Sequence, residues 1–90
     1  MDISDKDLES ATESALVNLL AARWEVSHPG QSGREHIRQL LNKSDPFMSQ
    51  FLAGNTHLGV RQLLELQQEL NTNLITRWLR VQIKSVGDKS

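Results

Sequence analysis

The chain has no cysteine, no tyrosine, two prolines, and only two tryptophans and two phenylalanines in 90 residues. Without cysteine there is no disulfide framework and no thiolate metal site, which suits a reducing compartment. Little proline and five glycines exclude a loop-rich or collagen-like chain. With few clusters of β-branched or aromatic residues, strands are not expected. No apolar run approaches the roughly 18 residues needed to span a bilayer. The start, Met1-Asp2-Ile3-Ser4-Asp5-Lys6-Asp7, is acidic and lacks the basic opening and apolar run of a signal peptide. These absences point to a soluble, intracellular, cytoplasmic protein.

Chemistry-bearing motifs are missing too. There is no Gly-x-Ser-x-Gly, no phosphate loop and no Gly-rich strand-to-helix turn. His28, His36 and His57 fall on three separate segments, and no two of them share a helical face. The Ser and Thr residues sit at helix starts and turns, where their hydroxyls serve the backbone. The expectation is no enzyme activity, no cofactor and no metal.

Charge is nearly balanced at −1 but unevenly placed. Asp2, Asp5, Asp7, Glu9 and Glu13 face only Lys6 in the first segment, whereas Arg77, Arg80, Lys84 and Lys89 face only Asp88 in the last. Acids at a helix start and bases at a helix end complement the helix dipole. The same asymmetry would also suit pairing of the two ends, within a chain or between chains, or a basic tip for an anionic partner.

What the chain does have is helical periodicity. A first helix is expected over about residues 5–26, with Ser4 as cap. Its main apolar face would be Leu8, Ala11, Ala15, Leu16, Leu19, Ala22 and Val26, widened by Val17, Leu20, Ala21 and Trp24. Ser27-His28-Pro29-Gly30 ends it. A second helix is expected over 33–43, capped by Ser32, and a third over 46–53, with Phe47, Met48, Phe51 and Leu52 on one face. The last stretch, His57 to Lys84, reads as one uninterrupted helix of about 28 residues, roughly 42 Å long. Val60, Leu63, Leu64, Leu70, Leu74, Ile75, Trp78 and Val81 fall within about half of its circumference. Gln67 and Asn71 interrupt that stripe one turn apart, as register-setting amides do in a helical seam. The fold expected is all-α: a small irregular antiparallel bundle of three shorter helices and one long C-terminal helix. It would be a single domain over 1–90, with 1–4 and 87–90 frayed.

The function expected is a non-enzymatic helical protein–protein interaction module, self-associating or a subunit or adaptor of a larger assembly. Leu63, Leu70, Leu74 and Trp78 would supply apolar contact, Gln67 and Asn71 register, and Trp24 an anchor from the first helix. The first alternative is a small DNA-binding regulator using the basic stripe Arg77, Arg80 and Lys84 against phosphates. The segment from Leu64 to Arg80 has a superficial likeness to a helix-turn-helix. From Leu70 to Trp78, however, it is about two residues short of the usual turn, and no Gly stands at the bend. The second alternative is an inhibitor or adaptor that blocks a larger machine. No membrane partner is expected.

Two short resemblances agree with helical association. Leu63-Leu64-Glu65-Leu66-Gln67-Gln68-Glu69-Leu70 resembles the start of the C-terminal helix of type III secretion needle and inner-rod subunits, where such a stretch leads into a polymerising helix. Asp7-Leu8-Glu9-Ser10-Ala11-Thr12-Glu13, followed by Leu16 to Leu20, is similar to the terminal helices of polyketide-synthase docking domains. Both resemblances imply assembly through helix faces.

Overall fold

A computed structural model describes residues 3–88. The chain is all-α, as its composition predicts. Among the described residues six helices form: α1 (Asp5–Ser10), α2 (Glu13–Ser27), α3 (Gly33–Leu41), α4 (Asp45–Leu52), α5 (Val60–Glu69) and α6 (Leu74–Asp88). The expected three short helices and one long one are therefore corrected, because both long apolar runs are broken.

The first break lies at Ala11–Thr12. Ala11 is extended, and Thr12 opens α2 by accepting from the Ala15 N–H through Oγ1 at 3.2 Å. The second lies at 70–73. Asn71 takes the left-handed conformation with φ 54°, which asparagine tolerates better than other side-chain-bearing residues. Its neighbours Thr72 and Asn73 also favour turns and caps. Bending has a packing reward. Leu66 on α5 and Leu74 and Ile75 on α6 are all buried in one core, and the turn lets α6 reach α1 as well.

The first four helices are capped alike. Ser4, Thr12, Ser32 and Ser44 each accept from the N–H three residues on, and each of these helices has an acid in its first turn. Such a cap contributes about 1 kcal/mol. That matters for helices this short, which are marginal on their own. Ser4 caps α1, Ile3 is half-buried, and α6 runs to Asp88. The remainder of the expected frayed ends, 1–2 and 89–90, lies outside the described residues.

Leu8, Leu16, Val17, Leu20, Ile37, Met48, Phe51, Leu58, Leu63, Leu66, Leu74 and Ile75 form one core. On α2 the buried face is Leu16, Val17, Leu20 and Ala21. Ala15 and Ala22 face solvent instead, and Val26 is 82% exposed. The face expected from the spacing is thus rotated towards the residues that seemed only to widen it. Met48 and Phe51 reach the core from α4.

Polar ties fix the short segments. Glu25 accepts from the Gly33 N–H at 2.7 Å, joining the end of α2 to the start of α3. Arg38 donates to Glu35 and, at 2.9 Å, to the Lys43 carbonyl, with Asp45 at 3.4 Å. The Arg38 hydrogen bond holds the Glu35 carboxyl below its usual range. Glu13 lies 2.7 Å from His57 Nδ1 and accepts from the Leu58 N–H at 3.3 Å, pinning the α4–α5 loop to α2.

At Gly33 the backbones of α2 and α3 approach so closely that a Cβ would fall on the Ala21 carbonyl. Gly33→Ala should lower unfolding stability by about 1–3 kcal/mol through overpacking. Gly59→Ala, with open space around it, should stay within about 0.5 kcal/mol. Denaturant unfolding of the two variants checks this, and equal losses would contradict the close approach.

Candidate functional site

The bend at 70–73 organises the candidate surface. Gln67, near the end of α5, is buried. Its Oε1 accepts from the Thr76 N–H at 3.0 Å, and its Nε2 donates to Thr76 Oγ1 at 2.6 Å. Thr72 Oγ1 accepts from the Leu74 N–H at 3.3 Å. Two of the donors left open at a helix start are thereby met, one by a side chain of the preceding helix.

From that start α6 runs back along α1. Arg77 donates to the Ile3 carbonyl at 2.9 Å and pairs with Asp5 at 3.2 Å. Trp78 Nε1 donates to the Ala11 carbonyl at 3.0 Å. Gln82 Nε2 donates to the Leu8 and Glu9 carbonyls at 3.2 and 3.1 Å. Trp78 and Gln82 therefore cap the C-terminal end of α1, whose last carbonyls a six-residue helix cannot satisfy itself. The Arg77–Asp5 pair joins the acidic first segment to the basic last segment within one chain.

The expected contact residues divide into three groups. Leu63 and Leu74 are each 1% exposed, so together with Gln67 they belong to the chain's own interior. The bend turns these parts of both apolar faces inward. Trp24, Leu70 and Asn71 come together instead, lining an open cleft of about 330 Å3 between the end of α2 and the bend, with Leu20, Arg23 and Thr72. Trp24 stands there as a slab between two imidazoles: His28 stacks at 4.1 Å and His36 at 4.2 Å, both nearly parallel to it. Trp78, half-buried, borders a separate pocket of about 340 Å3 with Phe51, Glu13 and His57.

The expected basic stripe is also divided. Arg77 turns inward to Asp5 and the Ile3 carbonyl, whereas Arg80 and Lys84 are exposed. Beside them, Ile83 is 72% exposed. Sequence reasoning missed the contacts by which Thr76 and Gln82 of α6 hold that helix to Gln67 and to the end of α1. The Asn71-Thr72-Asn73 run was the available signal for the bend.

Among the described residues, no group of three or more His, Asp or Glu could hold a metal ion, and no helix is long and apolar enough to cross a membrane. No family model, no curated protein and no solved structure matches the chain. The two resemblances noted in the sequence rest on the residues quoted for them.

Loss of the Gln67 bracket has a defined cost. Gln67→Ala leaves the start of α6 without a buried partner and should destabilise the fold by about 1–3 kcal/mol. The α6–α1 contact should loosen with it, read as faster amide exchange across 5–10 than across α3. Exchange that rises equally everywhere would contradict a local role.

Proposed function

We propose that the chain is a non-enzymatic helical contact module that associates with copies of itself through α6. The observation that carries this reading is the overhang of α6. A 15-residue helix is about 22 Å long, whereas the six-residue α1 on which it lies is about 9 Å. Among the described side chains, the last bonds to α1 and its flanks come from Gln82. Next to Gln82, Ile83 is open, and just before it Leu79 and Val81 are only half-buried. A domain of this size has a thin core and gains from covering such surface. The assembly implied by the resemblance at Leu63–Leu70 agrees with this reading.

A second reading has one observation in its favour. The α5–bend–α6 unit is a helix–turn–helix in outline, with Asn73 exposed in the bend and Arg80 and Lys84 exposed on its second helix. Nucleic-acid binding through that face would depend on phosphate contacts. A net charge of −1 and the engagement of Arg77 with Asp5 both count against it. The inhibitor or adaptor role has no observation of its own.

Light scattering at about 0.1 M and about 1 M salt tests the main reading, because salt at 1 M screens charges beyond about 3 Å. A species above the 10.2 kDa of one chain that survives high salt is expected. A monomer under both conditions would refute self-association. In the double variant Arg80→Glu/Lys84→Glu, retention of nucleic acid should be lost if the second reading holds.

A further inference from the structure

We propose that the 70–73 bend is a hinge through which two copies of the chain exchange α6. This deepens the self-association reading by naming both the surface and the partner. The surface is the bed of α6 on α1, and the occupant is the α6 of a second copy.

Three observations carry it. First, the bed is already complementary to α6 in detail: the Ile3, Leu8, Glu9 and Ala11 carbonyls and the Asp5 carboxylate receive Arg77, Trp78 and Gln82. An α6 from another copy would make the same bonds with no new surface required. Domain swapping is a low-cost route to dimers for this reason.

Second, only four residues separate α5 from α6. Neither glycine nor proline lies between Val60 and Lys84, so nothing in the chain forbids a straight helix there. Straightened, 60–88 would form one helix of about 43 Å. That carries α6 away from its own α1 and towards a second molecule.

Third, the closed form requires a left-handed residue that is not glycine, Asn71 at φ 54°. Closure is therefore held by the Gln67 bracket against a backbone preference at the hinge. A short hinge under such tension favours exchange.

The hinge residue supplies opposed variants. Asn71→Ala disfavours the left-handed conformation and favours a straight helix. Asn71→Gly accepts the bend freely and weakens the helix. Each exchanged pair contains two hinges, so a roughly fivefold effect at each becomes about twenty-five-fold in the dimerisation constant. Sedimentation equilibrium on the full chain and both variants, with circular dichroism to verify folding, reads this directly.

The order Ala above wild type above Gly is expected, with the Ala dimer equally or more helical. One constant shared by all three chains would overturn exchange while leaving self-association standing. A mass of one chain throughout would overturn both. Asn71→Gly keeps the test decisive if Asn71→Ala fails to fold, because the glycine chain must then be the more monomeric of the remaining two; an unchanged constant overturns exchange.

Discussion

The buried amide of Gln67 bonded across the bend to Thr76 is the interaction on which the rest depends. Helices α1 to α4 begin with their own hydroxyl caps. The start of α6 instead takes a cap from the helix before it. The direction of α6 is thus tied to α5 by two hydrogen bonds in a low-dielectric setting, where leaving either group unmet is costly. From that direction everything further follows: Leu74 and Ile75 enter the core, and Trp78 and Gln82 reach the open carbonyls of α1.

The first helix and the last therefore support each other. A helix of six residues has almost no stability alone, and α1 is retained by Leu8 in the core and by side chains of α6 at its end. Its sequence neighbour α2 follows after two extended residues, Ala11 and Thr12. Contact between residues more than sixty positions apart closes the fold. The same arrangement makes α6 the element most suited to exchange, since its dock is specific while its link is short.

Much of this was legible in the chain itself. Ser4, Ser32 and Ser44 mark helix starts because the cap is a local interaction, complete within four residues. Met48 and Phe51 reveal their burial by spacing alone. The breaks at Thr12 and Asn71 were not legible from periodicity, since apolar residues continue at helical spacing across both. What decides them is tertiary: α6 turns back to contact α1, which lies more than sixty positions away in the chain. Gln67 and Asn71 were singled out because they interrupt an apolar stripe, and both prove central, one as a cap and the other as the bend. Their roles need α6 folded back, which no local pattern shows. Trp24 was marked as an anchor for a partner, yet its faces meet His28 and His36, brought there by the turn after α2.

The most direct test of this account is a nuclear Overhauser measurement between the Trp78 indole N–H and Ala11, with Trp78 Nε1 bonded to the Ala11 carbonyl at 3.0 Å. The contact exists only if the chain turns at 70–73, or if a second copy supplies the same helix to the same bed; isotope mixing distinguishes the two. A clear cross-peak is predicted. Its absence from a folded sample, with α1 showing no more order than an isolated six-residue helix, would contradict the docking of α6 and the construction of the fold that follows from it.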